Sequence, residues 1–436
     1  MKDIQVEMES LSKKYLNSSV LFCQKLIQTP SLPGQEKAIA DLYLREMEYL
    51  GYDEVFRDDW GNVVGIINGT EAGPTIMYNS HLDHVDIGSL SEWEGYDPYG
   101  AVIDESLIDN QDQTSQDKTK VIHGRAASDV KGGGATQIYS GKILLKLRAL
   151  GIPIKGRFVF AGVVLEEPAE QLGMIKLIDE TFKSKNISIN GVVSSEATSL
   201  KVYLGHRGRV ELKVTVQGST AHGSAPWLGI NAVNKATKLI EKVEEVIEKE
   251  KLSDPDLGHS SIALTNIQCY PGSMCIVPDT CIITYDRRFL PCETVESCVN
   301  QMQQIIDTLS VIDKNFKATV EVSHTKRTSY TGKQAILPNV KDSWKIEKSH
   351  PFVKKASSAL ESIGECVKYG YWDFGTDLSK ICAIEKIPAI GYSPMQEQYC
   401  HRPTDKVRID YMEKALRGNV AIYLSFCDLK ESDFYL

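Results

Sequence analysis

The chain has no long apolar run, no closely paired cysteines and no surplus of basic residues, and each absence removes a class of function. Its longest apolar stretches have the length of a strand, well short of the ~20 residues that a membrane helix requires. Met1-Lys2-Asp3-Ile4-Gln5-Val6-Glu7 lacks the apolar core of a secretory signal. Ten cysteines are present, but no C-x-x-C pair; Cys269, Cys275, Cys281, Cys292 and Cys298 cluster only loosely. That usage predicts reduced thiols in a cytoplasmic enzyme rather than a disulfide framework. Acidic residues outnumber basic ones, 58 to 49, for a formal charge of −9. A general nucleic-acid binder needs a basic footprint and is excluded, although local basic pockets for a small anion are not. What remains is a soluble globular composition, 42% hydrophobic and 25% charged, over 436 residues. Such a length predicts two domains.

The periodicity predicts a helix over residues 8–28, an interruption at Ser31-Leu32-Pro33-Gly34, and a second helix stopped by Gly51. Short strands follow at 63–67 and 75–78, the latter ending just before His81. The stretch 104–120 is rich in Asp, Gln, Ser and Thr and reads as an exposed excursion. Alternating strands and helices predict an α/β domain with a mixed sheet covered on both faces. From Gly208 the rhythm changes to strand 210–216, helix 231–250, strands 261–268 and 280–285, helix 295–309 and strand 318–322. That order is β-α-β-β-α-β, the ferredoxin-like arrangement. The expected organisation is a discontinuous first domain, 1–207 and 324–436, with 208–323 inserted between its pieces.

Metal-type side chains run through the first domain in order: His81-Leu82-Asp83, Asp129, Glu166-Glu167, Glu196 and His401. Imidazole and carboxylate are donors for Zn²⁺-like ions, and a spare carboxylate beside a metal suits water activation. His81 would bind through one ring nitrogen while Asp83 holds the other. Asp129 precedes Lys131-Gly132-Gly133-Gly134, so it is either a bridge between two metals or a plain helix N-cap. The glycines make no phosphate loop, because no Gly-Lys-Ser/Thr follows. Glu166 and Glu167 leave a strand end in different directions, so one can ligate while its neighbour faces the reacting water. Glu196 and His401 would complete the donor set.

These stretches resemble the co-catalytic metallo-aminoacylases and exopeptidases, such as acetylornithine deacetylase, succinyl-diaminopimelate desuccinylase, carboxypeptidase G and aminoacylase. The matching segments are Asn79-Ser80-His81-Leu82-Asp83, Gly124–Gly132, Glu166-Glu167, Glu196, Gly205-His206-Arg207-Gly208 and Ser219–Pro226. Among subgroups the chain looks closest to hydrolases linked with selenium metabolism. The resemblance implies a two-metal zinc exopeptidase-like domain, with Co²⁺ or Mn²⁺ as alternatives to Zn²⁺, and a ferredoxin-like insert that forms a homodimer. It implies that His81, Asp129 and Glu196 hold one ion, and Asp129, Glu167 and His401 the other. Glu166 would be the general base and Asp83 the orienting carboxylate. His222 resembles a histidine presented to the partner subunit's active site, and Arg288 an arginine that grips the substrate carboxylate, with Arg287 as its neighbouring competitor. The implied reaction is hydrolysis of the amide bond of an N-acyl amino acid or small peptide.

The pattern also departs from the family. After His401 the chain reads Arg402-Pro403-Thr404-Asp405 where Asn-Glu is common, and Gly375-Thr376-Asp377 matches a substrate-side loop only loosely. His84 stands where an apolar residue or Thr is usual. The rival reading is a metal-binding scaffold without catalysis, which would need neither Glu166 nor His222. A two-metal phosphate-ester hydrolase is disfavoured because no basic phosphate cluster is evident.

Overall fold

Two sheets with separate cores organise the chain, which is described here from a computed structural model for residues 2–93, 95–109, 116–168 and 170–436. The first helices are Lys2–Ile27 and Lys37–Leu50. Gly51 ends the second at φ 88°, donating its N–H to the carbonyls of Met47 and Glu48, a left-handed cap that an L side chain would strain. The larger sheet has nine strands, with Glu71–His81 between two parallel neighbours, Lys155–Val163 and Gly191–Ser194. Antiparallel strands occur elsewhere, so the sheet is mixed as expected. Its strands read as continuous buried runs because helices cover both faces. Tyr43 stacks on Phe160, and Tyr78 on Phe158 with ring centroids 4.6 Å apart, in that core.

The second sheet contains Gly208–Gln217, Ser261–Tyr270, Thr280–Phe289 and Lys317–Val322, with helices Ala232–Lys249 and Val295–Ile312. Its spatial order, second–third–first–fourth strand, is the ferredoxin-like one. Strict alternation of burial along Thr280–Phe289 shows one face packed on helices and the other open. The chain returns through a hairpin, His324–Thr328 with Gln334–Pro338, whose Tyr330 and Leu337 pack against the larger core. Val340 and Lys341 then pair with Val210 and Arg209 of the second sheet, and Trp344 and Lys345 with His206 and Gly205 of the first. Residues 340–345 are therefore stitched to both sheets.

The polar stretch 104–120, expected as an exposed excursion, is exposed at Glu105, Lys118 and Lys120 and is built as paired strands. Ile103–Asp109 and Gln116–His123 form an antiparallel ribbon, and Lys406–Arg408 adds a third strand to it. Residues 110–115 of that stretch lie outside the described residues. Hydrophobic periodicity missed the ribbon because its strands are mostly polar, and the third, Lys406–Arg408, comes from a segment distant in sequence. Among the described residues, no helix is long and apolar enough to cross a membrane.

Candidate metal centre and active site

Three adjacent parallel strands end at one edge of the larger sheet, and their C-terminal ends carry most of the site. Glu71–His81 ends on His81 itself; Lys155–Val163 leads to Glu166 and Glu167; Gly191–Ser194 leads to Glu196. Open α/β sheets collect ligands at this edge because loops diverge there. Asp129 arrives from the loop before helix Gly132–Ala149, with extended φ −151° and ψ 82°. It caps no helix: Oδ1 lies 3.1 Å from Nε2 of His81, and Oδ2 lies 2.9 Å from Nε2 of His401. Oε1 of Glu196 is 3.8 Å from the same His81 nitrogen, and Oε2 of Glu167 is 3.2 Å from that of His401. Two donor groups result, His81/Asp129/Glu196 and Asp129/Glu167/His401, each with ligand atoms within 4.8 Å of one another.

The surrounding hydrogen bonds fix these donors. Nδ1–H of His81 donates to the backbone carbonyl of Asp83 at 3.0 Å, whereas the Asp83 carboxylate is 3.7 Å away. That carboxylate instead accepts the backbone N–H groups of Glu166 and Glu167 at 3.1 and 3.0 Å. Asp83 thus orients the imidazole through its main chain and the paired glutamates through its side chain. Glu167 also accepts the N–H of Val85 at 3.2 Å. His84 faces away from the donors, accepting the Ser31 N–H at 2.9 Å and donating to the Val85 carbonyl.

Burial pushes the carboxyl of Glu196 well above its usual range, and the Asp129 charge adds to it. The same two causes push Glu167 up to about 7. Burial opposes protonation of His81, but the Asp129 hydrogen bond and the Glu196 charge prevail and raise it well above its ordinary value. Asp129 also feels burial, outweighed by hydrogen bonds from His401 and His81 that hold it well below the carboxylate range. Crowded buried carboxylates of this kind are stabilised by cations. Imidazole nitrogens and carboxylate oxygens sharing one aspartate therefore fit a pair of divalent ions.

Glu166 belongs to neither donor group. It is buried, and its carboxylate accepts a hydrogen bond from Nζ of Lys341, a residue that sequence reasoning did not single out. Asp405 was read only as a departure. It is buried, and its carboxylate accepts from Ala126 N at 2.6 Å, Ser128 N at 2.8 Å and Ser128 Oγ at 2.6 Å. It thereby ties the Asp129 loop to the His401 loop.

Arg287 and Arg288 point to opposite faces of their strand. Arg287 is buried and paired with Glu293 at 2.6 Å. Arg288 lies on the open face, held by Asp286 at 2.6 and 3.3 Å. Its charge reaches His206, whose imidazole is pushed down to about 3 chiefly by burial, with Lys341 and Arg288 adding to it. Nε2 of His206 accepts the Thr376 N–H at 3.1 Å, which docks the 375–377 loop. His222 is exposed in the second sheet's loop and bonds Ser224 Oγ at 2.6 Å; none of these contacts brings it to the donor groups of its own chain.

Residues 204–314 match the model of the M20 peptidase dimerisation domain. The chain is 30% identical to protein YgeY of Escherichia coli K12 over 417 residues, 95% of this chain and 96% of that one. Succinyl-diaminopimelate desuccinylase of Hydrogenovibrio crunogenus is 24% identical, with 67% and 74% of the two chains covered. Among solved structures, the fold is shared with aminopeptidase PepT of Bacillus cereus, at a TM-score of 0.68 and 21% identity, covering 94% of this chain and 98% of that one. It is shared also with the Bacillus subtilis YXEP protein, a dinuclear metal-binding M20 peptidase, at a TM-score of 0.66 and 15% identity, covering 95% and 99%. The full-length relationship, the dimerisation domain and the paired donor groups converge on one conclusion: the chain belongs to the M20 family of metal-dependent peptidases and amidohydrolases.

Proposed function

We propose that the chain hydrolyses the amide bond of an N-acyl amino acid or small peptide, using two divalent ions, preferably Zn²⁺. The observation that carries this reading is Asp129 shared between two donor groups, with the buried carboxylate of Glu166 beside them but outside both. His81, Asp129 and Glu196 would hold one ion, and Asp129, Glu167 and His401 the other. When bound, the ions would polarise the scissile carbonyl and make water acidic enough to lose a proton near neutral pH. Glu166 takes that proton as general base and returns it to the leaving amine. Asp83 keeps the Glu166-Glu167 turn and the His81 ring in place.

Arg288 releases Asp286 to grip the substrate carboxylate, a charge-assisted and bidentate contact. The second sheet is the core of an inserted dimerisation domain, 208–323, and the rest of the chain, 1–207 with 324–436, is the catalytic unit. In a homodimer the partner subunit's His222 reaches the site and steadies the oxyanion. Ten free cysteines accord with a cytoplasmic setting.

The test begins with Zn²⁺- or Mn²⁺-loaded protein offered panels of N-acyl amino acids and dipeptides. Glu166→Ala is expected to keep its metal and lose about two to four decades in kcat. Full activity in that variant refutes the mechanism, and no turnover by the wild type across both panels favours a scaffold.

A further inference from the structure

A general base works only if its carboxylate points at the water, and Glu166 is held at two points. Its backbone N–H donates to the Asp83 carboxylate, and its side-chain carboxylate accepts a hydrogen bond from Lys341. Lys341 is 3% exposed, and burying an ammonium is costly unless it is paired. Three features keep that ammonium where it is. Nζ donates to the Gly375 carbonyl at 3.0 Å. The Asp377 carboxylate faces it electrostatically, with Oδ1 buried and without a hydrogen-bond partner. A methyl group on Gly375 would lie 2.9 Å from Cδ of Lys341, so the glycine makes room for the lysine stem. The backbone of Lys341 meanwhile pairs with Arg209 of the second sheet.

We propose that Lys341 is the positioning residue of the general base, setting where Glu166 presents its carboxylate and tying that direction to the seating of the second sheet. The inference rests on the reading of Glu166 as base. Lys341 gives up no proton in this scheme. The proton passes from water to Glu166 and on to the amine, while the Gly375 carbonyl keeps its hydrogen bond from the ammonium.

The test is a double-mutant cycle on the metal-loaded enzyme, with its best N-acyl amino acid or dipeptide as substrate. Lys341→Met is expected to lower kcat about 10–100-fold, the scale of an ångström misplacement, with KM and metal content unchanged. In a Glu166→Gln background it is expected to cost nothing further. Lys341→Arg, which keeps the charge, is expected to recover part of the loss. Gly375→Ala displaces the lysine while leaving Lys341 and Glu166 in the chain. It is expected to lower kcat about tenfold at constant KM, and it carries the test if Lys341→Met does not fold.

In chelator-treated protein, Lys341→Met is expected to lower the melting temperature, since Glu166 and Asp377 then lose the cation that faces them, and adding Glu166→Gln to restore part of it by removing one of the two charges. Additive losses in kcat, or a raised KM at constant kcat, overturn the proposal by making Lys341 a substrate ligand. Wild-type kcat in Lys341→Met with an inactive Glu166→Gln overturns it alone. Wild-type kcat in Glu166→Gln overturns the base reading and the positioning role together.

Discussion

The two halves of the candidate metal centre share Asp129 and are built in different ways. His81 and Glu196 are buried and stand at the ends of neighbouring parallel strands, so the sheet itself sets their separation. Glu167 stands on the same sheet edge, but its partner His401 comes from a loop in the last part of the chain, with its side chain 52% exposed. His401 also has φ 60°, a left-handed conformation that costs a residue with a side chain about 1–3 kcal/mol. One half is pre-organised by strand pairing. The other is assembled when two loops lock, and Asp405 is the lock. The difference teaches that the buried half should bind first and tightest, and that the exposed half should be the one that varies with conditions.

Removing the shared donor should erase the distinction. Asp129→Ala takes a ligand from both groups and is expected to leave less than one ion per chain, with kcat down by at least ~10³-fold. Elemental analysis beside kinetics checks this, and two retained ions would show that Asp129 does not bridge. Removing one histidine at a time should sharpen the distinction instead. His401→Ala is expected to leave one tight ion and abolish the second in calorimetric titration. His81→Ala is expected to weaken both, because its ring packs on Asp83, whose carboxylate also holds the backbone of Glu167, a donor of the other group. Equal losses in the two variants would mean that the halves are not separable.

The asymmetry also explains what could be read from the chain alone. His81, Glu166-Glu167 and Glu196 are each local to a strand end, so apolar runs followed by acids or imidazole marked them. The ferredoxin-like block was legible for the same reason, its alternation and helical periodicity being properties of short windows. Asp129 was ambiguous between bridge and cap, because both uses place an acid before a helix and only the folded chain shows it lying between His81 and His401. Lys341 and Asp405 were opaque. Each sits in a short stretch without helical or strand-length periodicity, and each touches a residue remote in sequence through a contact that exists only after folding. The Asp83 carboxylate was assigned to the imidazole, yet its stronger contacts are backbone amides, which no sequence pattern displays.

Asp405 tests the locking step directly. Asp405→Ala leaves the N–H groups of Ala126 and Ser128 without their acceptor in a buried place, at about 1–3 kcal/mol for each unsatisfied group. The melting temperature is expected to fall, and affinity for the second ion to drop about 10–100-fold, the usual scale for a group that holds a ligand in place. Affinity for the first ion is expected to change less. An unchanged second site would show that the His401 loop holds itself.

The smallest effect separates the halves by pH in chelator-treated protein. Hydrogen bonds to Asp129 and Glu167 push the His401 imidazole up from its ordinary 6.5 to about 11. The folded chain then holds that proton more tightly than the unfolded one, and the resulting stability is complete below pH 6.5 and lost as pH rises through about 11. Glu167, pushed from 4.5 up to about 7 by burial and Asp129, has the same sign in a lower window: its contribution is complete below pH 4.5 and gone above about 7. Melting temperature is therefore expected to decline across both windows. His401→Gln should remove part of the alkaline decline, the remainder belonging to His81, while keeping a decline between pH 4.5 and about 7. Because the imidazole is half-exposed, salt should shrink the alkaline part. A variant that still declines like the wild type above pH 8 would place the titrating group elsewhere and leave the exposed half without its electrostatic signature.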